Sequence, residues 1–159
     1  MKIPVLLLIA VLICGLIFGC ATPTSSSITQ VLTIDIGSPE GKNWDGDPAV
    51  DGIEFYLSPR DLQNKMVQTP GTLSAHLWLT EELLTGAPTY EGKKGDLVQD
   101  WSGIKITKGD YDTSSGARIR LEYVNFQPTF LEYGILEVTL ETPDAKKFTA
   151  KATSVKTWK

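Results

Sequence analysis

Three aspartates fall within seven residues in the stretch NWDGDPAVDG, Asn43 to Gly52. Carboxylates punctuated by glycine are the composition of a calcium loop. Such a loop of the EF-hand type needs oxygen ligands at alternate positions and a bidentate acid further on. Asp45 and Asp47 keep that spacing, but Ala49 occupies the third position and brings no side-chain oxygen. Asp51 comes too late for the register, Pro48 restricts the local φ, and no helical pattern follows. Asp45, Asp47 and Asp51 are therefore weak calcium candidates. The stretch reads as a turn series in which Asp and Gly supply local hydrogen bonds and Pro48 stiffens the entry to a strand. Glu54, a little further on, takes a strand position that points to solvent.

His76 is the chain's single histidine. Zinc ligation would need several carboxylates around it, and a Ser-His-Asp arrangement would rest on it alone. A surface histidine is the simpler reading. Glu137 and Glu141 share one face of a strand, but positions four apart in a strand are about 13 Å apart, too far for a glycosidase pair. They are expected to face water and to pair with lysine or arginine on neighbouring strands. Tyr56, His76 and Trp78 take polar-face positions on two strands expected to be close. Such rings can stack on a sugar or anchor a protein partner. The competing reading is that the long loop from Leu84 to Lys94 covers this face. Trp44, Trp101 and Trp158 flank strands and are expected to plug the ends of the fold.

The elements that must position these residues are strands. Alternation with period two dominates from Ile28 onward. It sets Leu32, Ile34 and Ile36 against Val31, Thr33 and Asp35, and Ile53, Phe55 and Leu57 against Glu54, Tyr56 and Ser58. It sets Leu73, Ala75, Leu77 and Leu79 against Ser74, His76 and Trp78. Ile119, Leu121 and Tyr123 oppose Arg118, Arg120 and Glu122, while Leu136, Val138 and Leu140 oppose Glu137 and Glu141. Phe148, Ala150 and Ala152 continue the pattern, and a weaker strand is expected over Asp96 to Trp101. Only EELLTG, Glu81 to Gly86, resembles a helical turn. One apolar and one wet face per strand predicts an all-β, antiparallel β-sandwich of about seven strands, immunoglobulin-like or transthyretin-like. An open barrel is the alternative.

The first twenty residues differ sharply in composition. One lysine precedes an unbroken apolar run from Ile3 to Phe18, followed by Gly19 and Cys20. A short apolar run behind a basic start is the pattern of an export signal, and it is slightly short for a spanning helix, which takes about 20 apolar residues. Ile17-Phe18-Gly19-Cys20 resembles the lipobox of prokaryotic lipoproteins, with Gly19 as the small residue before the cysteine and Phe18 bulkier than its position usually carries. The resemblance implies diacylglyceryl transfer to the Cys20 sulfur and cleavage before it. It divides the chain into a signal helix at 1–19, a lipidated cysteine with a Ser/Thr/Pro linker at 20–27, and a β-sandwich domain at 28–159. Cys14 would leave with the signal, so no thiol would remain for a disulfide or metal site. The net charge of −4, more negative once Lys2 is gone, argues against nucleic acid and against an electrostatic grip on anionic lipid.

From Gly46 to Gly71 the sequence GDPAVDGIEFYLSPRDLQNKMVQTPG resembles an arrangement found in exported β-sandwich proteins. Its last part resembles the first hairpin of carboxypeptidase-regulatory-like and transthyretin-like domains. Both resemblances imply a fold and an exported location, and neither implies an activity. No Gly-rich phosphate loop, metal-ligand spacing or activated nucleophile is present, so neither catalysis nor a cofactor is expected. The expectation is a structural or protein-interaction module of the cell envelope, anchored by lipid to the cell membrane or outer membrane and facing an envelope protein partner. A carbohydrate or small-ligand module using Tyr56, His76 and Trp78 is the alternative. Acyl labelling in cells checks the anchor: Cys20→Ser is expected to abolish the label and to leave the signal uncleaved.

Overall fold

The computed structural model describes residues 30–80, 93–128 and 133–158. The signal segment, the linker and the turn expected after Glu81 lie outside these, as does most of the 84–94 loop. Eight strands follow in order: β1 Thr33–Lys42, β2 Gly52–Arg60, β3 Gly71–Thr80, β4 Lys94–Ile106, β5 Tyr111–Asp112, β6 Gly116–Glu122, β7 Tyr133–Glu141 and β8 Lys147–Lys156. A 3-10 turn, Lys108–Asp110, precedes β5.

The strands form one mixed sheet in the order β4-β3-β7-β8-β1-β2-β6-β5, curled into a half-barrel. Four antiparallel strands, β4-β3-β7-β8, make one arm, and β1-β2-β6-β5 make the other. The arms join where β1 runs parallel to β8, with Glu40 opposite Lys156. The curl brings the outer strand β4 back against the end of β6. Trp101 Nε1 donates to the Glu122 carbonyl at 2.7 Å, and Val124 N donates to Gln99 Oε1 at 3.3 Å.

Bulges make the curl. The β1–β2 register shifts between Gly37 and Glu40, where Ser38 has φ 50°. The β3–β4 register shifts opposite Ser102 and Gly103, with Gly103 at φ 72°. The β7–β8 register shifts opposite Thr153 and Ser154, with Ser154 at φ 56°. An extra residue on one strand bends it and raises the local twist. Each bulge also resets the alternation, which is why the sequence pattern understates β4. The expected strand at 96–101 is the middle of a thirteen-residue one.

The alternation holds for the centre of the sheet. Ile53, Phe55 and Leu57 of β2, Leu73, Ala75 and Leu77 of β3, and Leu136, Val138 and Leu140 of β7 have no exposed surface and pack in one cluster. Ile119 and Leu121 of β6 and Val155 of β8 complete it. Among the described residues this core is closed within Val31–Val155. The N-terminal pattern is corrected. Val31 is buried and Leu32 is 56% exposed, the reverse of the expected faces. The strand begins only at Thr33, so strand alternation does not govern the two residues before it.

Gly41 is required by the junction of the two arms. A Cβ there would lie 2.4 Å from the Thr157 carbonyl oxygen and 2.7 Å from its carbon, both backbone atoms that cannot swing away. Gly37, on the same strand, would meet nothing closer than 3.9 Å. Gly41→Ala is therefore expected to cost about 1–3 kcal/mol in chemical denaturation, as overpacking does. Gly37→Ala is expected to leave the midpoint nearly unmoved.

Candidate functional site

The topology sorts the surface into two poles. The chain enters the sheet at Thr33, and around this end lie the turn after β2 and the turn between β7 and β8. The opposite pole holds the Asn43–Asp51 loop, the end of β6 and the ends of β7 and β8 near Tyr133 and Lys156. Ten residues of β1 separate the poles by about 30 Å.

Aromatic side chains gather at the far pole. Tyr133 and Trp158 meet edge to face at 6.3 Å, and the Lys156 ammonium lies 4.0 Å from the Trp158 ring centre. The Arg120 guanidinium lies 5.3 Å from the Trp44 ring centre. Trp101, Tyr123 and Phe126 form a further chain, with centroids 6.3 and 5.0 Å apart. Trp101 lies inside β4 and closes the gap between the sheet's two edges, where the sequence pattern places it beside a strand as an end plug. Tyr133 and Val124 stay exposed.

The aspartate loop sits at this pole, and the structure brings Asp45, Asp47 and Asp51 together with carboxylate oxygens within 4.8 Å of one another. Asp51 supplies the third carboxylate that the Asp-x-Asp register lacked, because the loop folds back on itself. Asp45 Oδ1 accepts the Asp47 amide at 3.0 Å, Asp47 Oδ1 accepts the Ala49 amide at 2.7 Å, and Asp51 Oδ2 accepts the Trp44 amide. Asn43 Nδ2 donates to the Ala49 carbonyl at 2.7 Å while its Oδ1 accepts the Gly46 amide at 2.7 Å. Every acid therefore has an architectural task as a backbone acceptor. These three are also the residues that could hold a hard divalent cation, with loop carbonyls and water supplying the rest of the six to eight oxygens that calcium takes.

Glu54 corrects the expectation of solvent exposure. It is only 7% exposed, and its Oε2 accepts from Arg118 Nη2 at 2.8 Å and Arg120 Nε at 3.0 Å. The register explains the contact: Glu54 lies opposite Arg120 and next to Tyr56, which lies opposite Arg118. Burial alone would raise its pKa, but the two guanidinium hydrogen bonds outweigh burial and hold it below the ordinary value of 4.5. The signal was present in the sequence, as a lone acid in an apolar strand and two arginines two apart in ARIRLE. Only the pairing of β2 with β6 joins them.

His76 and Trp78 do come together, with ring centroids 5.5 Å apart. Tyr56 does not join them. It lies on β2, four strands from β3 in sheet order, about 19 Å along a curved surface. The Trp78 face is also occupied: Lys94 Nζ sits 3.6 Å from its ring centre and bridges to Glu137 at 2.9 Å. Lys147 on the adjacent β8, 3.4 Å from Glu141, is the cross-strand partner expected, whereas Glu137 is met by Lys94 from β4, one strand beyond its neighbour β3. Cys20 lies outside the described residues.

No family model, curated protein or solved structure matches this chain. The reading of the site rests on its geometry.

Glu54→Gln keeps the shape and removes the charge, and is expected to cost about 1–3 kcal/mol through weakened charge-assisted bonds to two arginines. The stabilisation is complete above the ordinary carboxylate value of 4.5 and is lost as pH falls through the lower folded value. Acid titration of stability is expected to show that component in the wild type and to lack it in Glu54→Gln.

Proposed function

We propose that this chain is a lipid-anchored module of the cell envelope, without catalysis, that presents its far pole to a protein partner. In this reading Cys20 carries the acyl chains that hold it to the cell membrane or outer membrane, and residues 20–27 are the standoff. The observation that supports it most is the polarity of the fold. The first strand, β1, starts at one pole, and aromatic side chains that favour interfaces, with the Arg120 guanidinium, collect at the other. A tether at one end leaves the opposite end free to dock.

The proposal includes the finer description of the fold. In this reading the arms β4-β3-β7-β8 and β1-β2-β6-β5 are the two layers of an immunoglobulin-like or transthyretin-like sandwich, supported by the core they share. The Glu40–Lys156 pair would then be the seam between the layers.

The carbohydrate reading has less support. Its platform needed three rings together, whereas Tyr56 is remote and the Trp78 face carries Lys94. Tryptophan emission is expected to stay unchanged on adding soluble envelope glycans, in the wild type and in Trp78→Ala alike. Docking is tested by placing a photocrosslinking residue at Val124 at the far pole or at Lys105 on the outer edge strand in growing cells. A discrete adduct is expected from Val124 and none from Lys105, and Tyr133→Ala is expected to reduce its yield several-fold, as loss of an aromatic anchor does.

A further inference from the structure

The pole at which the chain enters the sheet carries two large apolar side chains in water. Leu62 is 80% exposed and Leu32 is 56% exposed. They are neighbours by register: Thr33 lies opposite Arg60, and the Leu32 amide donates to the Arg60 carbonyl at 2.7 Å, two residues before Leu62.

Leu62 is held out by a well-built turn. The Asp61 carboxylate is turned inward, 8% exposed, and its Oδ1 accepts the Gln63 and Lys65 amides at 2.9 Å each. Asp61 N donates to the Lys65 carbonyl at 3.0 Å, and Asn64 closes the turn in the left-handed region at φ 60°. Arg60 Nη1 clamps the Asn64 carbonyl at 3.2 Å. The turn therefore hides its one acid and exposes Leu62, Gln63, Asn64 and Lys65. An apolar tip with uncharged polar flanks and a single cation suits the interfacial layer of a bilayer, where burial of the leucines and not net charge supplies the attraction. The three-aspartate loop stands at the other pole, and Asp144 in the neighbouring turn between β7 and β8 is paired with Lys146 at 2.9 Å.

We infer that the turn Asp61–Lys65 is a bilayer-contact tip, with Leu62 and Leu32 entering the interfacial layer. The inference rests on the anchor at Cys20. From Cys20 to Gln30 is ten residues, at most about 35 Å when extended, so the tether holds this pole within that distance of the membrane. One or two leucines bind a bilayer weakly when free. A short tether makes the encounter intramolecular, and the contact then persists at high effective concentration. It would fix the orientation of the domain and point the far pole outward.

The chain from Cys20 onward contains the whole core described above and a single thiol. It can therefore be coupled through Cys20 to maleimide lipid in phosphatidylethanolamine–phosphatidylglycerol vesicles with brominated acyl chains, whether or not cells acylate it. Trp44 and Trp158 follow the far ends of β1 and β8, and Trp78 and Trp101 lie within β3 and β4, so Leu62→Trp adds the one emitter in the turn. Its added emission is expected to be quenched by about half or more, as for a ring at the lipid interface, with the wild type unquenched. No quenching beyond the wild type overturns the inference, and so does a wild type that is itself quenched, since that places the other pole on the lipid. Sedimentation of the uncoupled chain is expected to show a monomer. A dimer that Leu62→Asp dissociates would assign the leucines to a second copy and overturn the bilayer contact. Acyl label on Cys20 in cells with no added quenching defeats this inference alone. No label on Cys20 defeats the anchor and this inference with it.

Discussion

Gly41 presses against the backbone of Thr157 where β1 meets β8, and the two arms of the sheet hold together through that approach. Each arm is antiparallel and combines hairpins with one long-range pairing, β3 with β7 or β2 with β6, and neither buries its apolar face alone. The parallel seam sets the angle at which the two inner faces meet. Phe55 and Leu121 from one arm and Leu77 and Val138 from the other are dry because of it. A side chain at position 41 would push the arms apart at the place where no strand returns to hold them.

The seam is supported by closure on the opposite side. Trp101 spans the gap between β4 and the end of β6 with a hydrogen bond to the Glu122 carbonyl and its ring against Tyr123. A long outer strand is otherwise a template for pairing with other chains. Here β4 carries a bulge at Gly103, the charged residues Lys94, Asp96, Asp100 and Lys105, and a neighbour across the gap. The same curl that buries the core thus restrains the edge.

Charge is handled by pairing across strands. Glu54 would be a costly buried acid, but two arginines from β6 meet its carboxylate and keep it ionised. Lys94 plays a comparable part on the other arm, where it covers Trp78 and pairs with Glu137. Both arrangements use residues far apart in sequence, and both turn what alternation marks as a wet face into a half-buried one. The outer face is therefore less open than the sequence pattern suggests: Ile135, which pairs with Trp78, has no exposed surface.

Local chemistry made much of this legible. Period-two alternation marks Ile53-Phe55-Leu57, Leu73-Ala75-Leu77 and Leu136-Val138-Leu140 as inward, because successive strand side chains point to opposite faces whatever the partner strand. The Asn43–Gly52 stretch is likewise a turn by its Asp, Gly and Pro content, since those residues satisfy their own backbone. Pairing decided the rest. Strand order separates Tyr56 from Trp78, joins Glu54 to two arginines, and gathers Trp44, Tyr133 and Trp158 at one pole. The fold-back of the loop brings Asp51 to Asp45 and Asp47 against the linear register. Such contacts depend on which strands are neighbours and where bulges shift them. Those are properties of the closed sheet and its shared core, which no single stretch of the chain contains.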